Sequence, residues 1–290
     1  MTYLLHVATM IVIYTMLACS LNLLAGYCGL VSIAHAAFYG FGAYVGALLA
    51  IRFGCDLLVE MACVTLVVGM VALLVGWPAL RILDDYFVLV TFALQAIAFG
   101  VFNNCVSLTG GPLGLPGIPP PSLLGWRVST HLGFLGLTSL FCMITLAFSF
   151  LLVRSPIGRI LVCVREDEVF AKVLGKDVVR VKISLFMISA CFAAVAGVIY
   201  AHYTTFIDPT SFTINESIFV ISIVIIGGAG SLSGPIVGAV ILVTLPEVLR
   251  FAGLPSDIAA NSRQIIYGTV IVVMMMFRPQ GLLGKYRFER

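Results

Sequence analysis

Charge is what this sequence has least of. Lys, Arg, Asp and Glu make up 10% of its 290 residues against 61% hydrophobic residues, and the mean hydropathy is +1.14. No ordinary soluble domain has that balance, and a net charge of +3 leaves nucleic acid nothing to bind. Lys and Arg are absent before Arg52. The opening apolar run therefore lacks the basic n-region of a signal peptide, and an N-terminus outside the cytoplasm is expected. None of the eight cysteines forms a CxxC pair, and most lie within apolar runs, where they read as small buried hydrophobes. Only Cys55 and Cys105 fall near the outer face, where a disulfide between them stays open. A phosphate-binding loop is missing too: Gly175-Lys176 has Phe170 and Asp177, and Gly284-Lys285 has Pro279 and Tyr286, where Gly and Ser/Thr are required. No metal cluster, nucleophile triad or carboxylate pair stands out, so no cofactor, metal or intrinsic enzyme activity is expected. Finally, the acids Asp56, Glu60, Asp84, Asp85, Asp208, Glu216 and Glu247 all fall at or near run ends, whereas ion-coupled carriers place them at mid-span. Glu247 is the position that tests this argument.

What is abundant is long apolar runs of about 20 residues, without the period-two alternation of a β-barrel. They predict an all-α polytopic membrane protein with about 8–10 transmembrane helices. The runs are 3–25, 26–50, 57–80, 86–108, 131–153, 183–203, 217–227, 236–251 and 264–277. Gly40, Gly42 and Gly46 with Ala36, Ala37, Ala43 and Ala47 give the second run a small-residue face for close helix packing. It either crosses fully or enters as a broken helix. The Gly/Pro-rich stretch 109–130 carries one charge, Arg127, and is expected to be extracytoplasmic. Gly227-Gly-Ala-Gly-Ser-Leu-Ser-Gly-Pro235 cannot be a regular helix interior. Gly29–Ser32 followed by Gly42-Ala43, and Gly228–Ser231 followed by Gly238-Ala239, hint at related halves. Asn22, Gln95, Asn103 and Asn104 read as interhelical hydrogen-bond partners.

The longest polar segment, 154–182, is basic and therefore expected on the cytoplasmic side, as is the tail 278–290. Ser155-Pro156 is an N-cap followed by proline at the first helical position, predicting a helix to about Val164. A second helical turn is predicted over 166–174, with Val169, Phe170, Val173 and Leu174 on one face, a Glu168–Lys172 pair on another, and Gly175 as a left-handed C-cap. That apolar stripe either packs on the protein's own helix ends or on lipid, or it docks a cytoplasmic partner through Phe170.

Four stretches together carry a resemblance: Gly29–Phe38 continuing to Gly42-Ala-Tyr44; Ser155–Arg159 with Arg165-Glu166 and Leu174-Gly175; Gly227–Pro235 with Gly238-Ala239; and Arg278-Pro-Gln-Gly-Leu282. In this order they resemble the M-type permease subunits of bacterial branched-chain amino-acid ABC importers. The resemblance implies a single transmembrane permease domain over 1–290 in the inner membrane. It would be paired with an H-type permease, driven by two cytoplasmic ATPases and served by an extracytoplasmic solute-binding protein. It also implies that Arg165, Glu166, Glu168, Phe170, Ala171 and Gly175 belong to the loop that couples to the ATPase. The family's Glu-Ala-Ala form is imperfect here, since Val169 and Phe170 follow Glu168 and alanine comes only at 171.

Candidate pathway residues are Ser32, His35, Gly228, Gly230 and Ser231. His35 stands in an apolar segment, either as a functional group or as a structural bond to a neighbouring helix. The serines either meet substrate or bond backbone carbonyls. The glycines either expose backbone to a substrate or make a tight turn at the cytoplasmic end. Two further readings are an ion-coupled secondary transporter, and a related importer of urea, short-chain amides or other amino acids.

Overall fold

The computed structural model describes residues 2–81, 84–123, 125–251, 268–269, 272–274, 276–278 and 280–284. Its elements are helices α1 (Thr2–Asn22), α2 (His35–Phe53), α3 (Leu57–Ala79), α4 (Asp84–Asn104), the short α5 (Val106–Thr109), α6 (His131–Arg154), α7 (Pro156–Glu166), α8 (Glu168–Val173), α9 (Val178–Thr204), α10 (Ile214–Gly227) and α11 (Gly234–Phe251). Four two-residue strands occur in loops: β1 (Leu115–Pro116), β2 (Ser122–Leu123), β3 (Trp126–Arg127) and β4 (Phe206–Ile207). β1 pairs antiparallel with β4, Leu115 opposite Ile207, and β2 with β3.

Among the described residues six helices are long and apolar enough to cross a membrane: Tyr3–Cys28, His35–Phe53, Leu57–Ala79, Tyr86–Asn104, His131–Arg154 and Val178–Thr204. Two shorter apolar helices, Ile214–Gly227 and Gly234–Glu247, follow. The all-α polytopic reading therefore holds. Residues 252–263, half of the run 264–277, and 279 and 285–290 of the tail lie outside the described residues.

Helices α2 and α9 cross at backbone contact. A Cβ at Gly42 would lie 2.1 Å from the Ala194 carbonyl oxygen, and one at Gly197 would lie 2.0 Å from that of Tyr39. The small-residue face read from the second run is thus the seam of the bundle, with Ala36, Ala37, Ala43 and Ala47 fully buried beside it. α3 packs on α9, while α1 reaches α6, α9, α10 and α11. Leu66, Met70 and Leu74 of α3, Leu89 and Ile97 of α4, and Met143 and Leu151 of α6 point outward. An apolar exterior of this kind suits contact with lipid.

Over 26–50 an irregular link precedes one unbroken helix, His35–Phe53, long enough to cross. α1 ends in a π-helical turn, Leu23–Cys28, Gly29 takes φ 79°, and α2 begins only at His35. Irregular backbone inside a membrane must be satisfied by protein groups. The Ile33 amide donates to Thr91 Oγ1 of α4 (3.2 Å), the Ala34 amide to Ser32 Oγ (3.3 Å) and the Ala36 amide to Ser217 Oγ of α10 (3.0 Å).

Hydropathy placed other boundaries less well than capping does. α9 starts five residues before the expected Ile183, because the Asp177 carboxylate accepts from the Arg180 amide at 3.1 Å. α4 stops at Asn104, short of Leu108.

At the end of the bundle away from α7 and α8, the 109–130 loop is tied down. Buried His202 bonds the Pro119 carbonyl (2.8 Å) and the Glu60 carboxylate (2.6 Å). A cavity of about 590 Å³ opens beside it between His6, Thr130, His131, Phe134 and Tyr203. Cys55 and Cys105 are free thiols.

Candidate functional site

Ser155 caps α7, its Oγ accepting from the Gly158 amide at 3.3 Å, with Pro156 in the first turn. α7 buries Leu161 and Val164 and delivers the chain to a second cap, Asp167, whose Oδ1 accepts from the Phe170 amide at 2.9 Å. α8 then presents two faces. Ala171 points inward and is fully buried. Val169, Phe170, Val173 and Leu174 point outward, Phe170 being 55% exposed and Val173 78%. The helix closes in a Schellman motif: the Lys176 amide bonds the Ala171 carbonyl (3.2 Å), the Gly175 amide bonds that of Lys172 (2.9 Å), and Gly175 has φ 72°.

Glu168 anchors this helix. Its carboxylate meets Lys172 at 2.9 Å and Lys182 of α9 at 2.6 Å, and Lys182 is only 2% exposed. Partial burial works against the Glu168 charge, but the two ammonium groups outweigh it and hold the carboxyl below its ordinary range. Among the loop residues singled out from sequence, Glu168 and Ala171 therefore face the protein, and Glu166 and Phe170 face solvent. Gly175 shapes the exit.

Arg165 turns away from α8. Its guanidinium donates to the Gly26 carbonyl in the π-turn of α1, and its stem covers Gly29, where a Cβ would lie 3.3 Å from Arg165 Cγ. The glycine turn between α10 and α11 meets the same place. Buried Asn22 accepts from the Gly230 amide (2.9 Å) and donates to the Ser231 carbonyl (2.8 Å). Ser231 Oγ donates to the Gly228 carbonyl (3.1 Å) and accepts from the Gly234 amide (2.9 Å), so it ties the turn to the first residue of α11. The tail adds to the cluster: the Leu282 amide bonds the Ile226 carbonyl (2.9 Å) and the Leu283 amide that of Gly227 (3.0 Å).

His35 lies elsewhere, fully buried in the α2–α9–α1 packing. Its Nε2 is 3.0 Å from Ser189 Oγ, which donates to the Ser20 carbonyl at 2.5 Å, so Nε2 carries the proton and Ser189 accepts it. Ser32 bonds backbone, as does Gln95, which donates to the Phe212 carbonyl at 2.8 Å. Asn104 departs from its expected role, bonding the Gly100 carbonyl of its own helix. Glu60 and Glu216 occupy the first turns of α3 and α10, and Glu247 accepts from Tyr3 at the start of α1. These carboxylates sit at helix ends, with Glu216 bonded by Tyr14 at 2.6 Å. Asn22 bonds across segments as its sequence position suggested, with the glycine turn as its partner. Sequence reasoning missed Lys182 as a buried anchor, because a Lys beside an apolar run carries too little local signal to reveal it.

Comparison with known proteins shows the family of the chain. Residues 3–277 match the family described as the branched-chain amino acid transport system permease component. The high-affinity branched-chain amino acid transport system permease protein LivM of Salmonella typhimurium is 36% identical over 304 residues, covering 97% of this chain and 70% of that protein. LivM of Escherichia coli is 34% identical over the same shares. The permease protein LivH of Escherichia coli is 27% identical over 299 residues, covering 96% of this chain and 93% of that protein. No solved structure matches the chain.

Proposed function

Because this chain belongs to the family of permease components of branched-chain amino acid transport systems, we propose that it is a transmembrane subunit of an ATP-driven importer of branched-chain amino acids. It forms half of the translocation pathway and an H-type permease forms the other half, a pairing supported by the likeness to both LivM and LivH proteins. Two cytoplasmic ATPases drive it, and an extracytoplasmic solute-binding protein supplies the substrate. The segment 154–182 and the tail 278–290 face the cytoplasm, and the N-terminus lies outside.

The observation that carries the mechanism is α8. A helix whose acid side is anchored by buried Lys182, and whose four apolar side chains stand in solvent, is built to be covered by a partner. Phe170 is its aromatic anchor. Without a phosphate-binding loop in the sequence, energy enters by nucleotide closure of the ATPases against this helix. The bundle then exposes its pathway to one side or the other. Glu166 and Gly175 border the docking stripe, while Ser32, Gly228, Gly230 and Ser231 act on the pathway side by holding the breaks in α1–α2 and α10–α11, and His35 does so by tying α2 to α9 through Ser189.

Affinity purification of the intact membrane complex, followed by mass spectrometry, tests this reading. A second permease and two ATPases should travel with the chain, and the associated binding protein should take leucine and valine in preference to urea. Recovery of the chain alone, with proteoliposomes of it accumulating solute down an ion gradient, would overturn the proposal.

A further inference from the structure

Gly26 is where three segments of the chain lock together. The last carbonyls of a helix have no intrahelical partner, and at the end of α1 the Leu24 carbonyl is met by the Gly29 and Leu30 amides while the Gly26 carbonyl is met from another segment. The Gly26 carbonyl takes the guanidinium of Arg165 from the end of α7. The other side of Gly26 is the seat of the glycine turn: a Cβ there would lie 2.1 Å from Asn22 Oδ1 and 2.5 Å from the Gly230 amide nitrogen. Asn22 in turn holds both Gly230 and Ser231, and the turn that contains them opens α11. Arg165 is half-buried in the last turn of α7 and stands three residues before the start of α8, so it moves with the coupling loop.

We propose that Arg165 is a positioning residue: by gripping the Gly26 carbonyl it carries displacement of the α7–α8 loop to the end of α1, and Asn22 passes that displacement to the Gly228–Ser231 turn. This rests on the proposed function and deepens it, because it assigns the residue a task inside the permease instead of at the ATPase surface. A charged donor on a helix-end carbonyl is suited to the task, since such a bond is short, directional and stronger than a neutral one. Both linked segments are irregular backbone, the part of a helical bundle that changes conformation most readily.

The test compares native chain with Arg165→Ala and Arg165→Lys in the full permease, purified with its partners and reconstituted with binding protein. Four quantities are read: ATPase co-purification, ATP hydrolysis, amino-acid import, and amide hydrogen exchange at 23–31, 168–175 and 228–231. Arg165→Ala should keep the ATPases and its hydrolysis rate within about twofold, while import per ATP falls at least about tenfold, as loss of a charged hydrogen bond implies. Exchange should accelerate at 23–31 and 228–231 and stay unchanged at 168–175. Arg165→Lys, which keeps one donor, should fall between. Native import per ATP in Arg165→Ala overturns the proposal. So does loss of ATPase co-purification with unchanged exchange at 23–31, which would make Arg165 a docking contact. If the native chain itself recovers no ATPase, the proposed function fails, and exchange decides the clasp alone: acceleration at 228–231 in Arg165→Ala supports it, and no change there overturns it.

Discussion

A buried ammonium group needs its counter-charge close by. Lys182 is 2% exposed and has Glu168 at 2.6 Å, so Glu168→Gln takes from it a carboxylate that water cannot replace at that depth. The expected loss is about 2–3 kcal/mol, below the full cost of breaking a buried pair because Glu168 is itself part-exposed. Thermal unfolding of the purified chain in detergent should show it as a lower Tm. The same pair sets a pH dependence. The Glu168 carboxyl is held below its ordinary value of 4.5, so its contribution is complete above that value and disappears as pH falls through the lowered one. Hydrogen-exchange protection of 168–175, followed from pH 7 downward, should drop on the acid side in the native chain and follow a flatter course in Glu168→Gln. The partnership of Glu168 with Lys172 was legible at four residues' spacing. Lys182 was not, because fourteen residues and a helix boundary separate the two, and only the packing of α9 against α8 brings them together.

At the scale of the element, capping chemistry was the most readable feature. Ser155-Pro156 and Gly175 act locally, through a side-chain oxygen, a fixed proline φ and a left-handed glycine, and they set the start of α7 and the end of α8. The Asp167 cap was not read, and α7 runs to Glu166 and α8 starts at Glu168, each two residues later than expected. Breaks within apolar stretches were less readable. The gap 29–34 is stabilised by Thr91 and Ser217, which come from other helices, so no local pattern announces it. Two predictions belong here. Phe170→Asp should leave the fold and its Tm unchanged, since the side chain is exposed, yet reduce ATPase co-purification at least about tenfold if Phe170 is the anchor. Gly175→Val places a β-branched residue at φ 72° and should fray α8, cutting exchange protection at 171–176 at least about fivefold. Native protection in that variant would contradict the Schellman assignment.

The whole molecule turns on the α2–α9 seam, and this was legible in the glycines and alanines of the second run, because close helix approach demands small residues on one face. Its partner helix was not legible, since small residues are spread along several runs. Gly42→Val would drive a branched side chain into the Ala194 backbone and should destabilise the bundle by about 3 kcal/mol or more, read as a Tm decrease or as loss of membrane-inserted protein. Across the molecule, the four motif stretches are far apart in sequence, yet Arg165, Gly26, Asn22, the 228–231 turn and the 281–284 tail meet at one end. In the proposed mechanism motion enters at α8 and reaches this junction first. The most direct measurement of that claim is photo-crosslinking from a benzoylphenylalanine introduced at position 170, in cells expressing the intact system. A nucleotide-sensitive crosslink to an ATPase subunit is the expected result; a crosslink only to lipid or to other segments of this chain would contradict docking through α8.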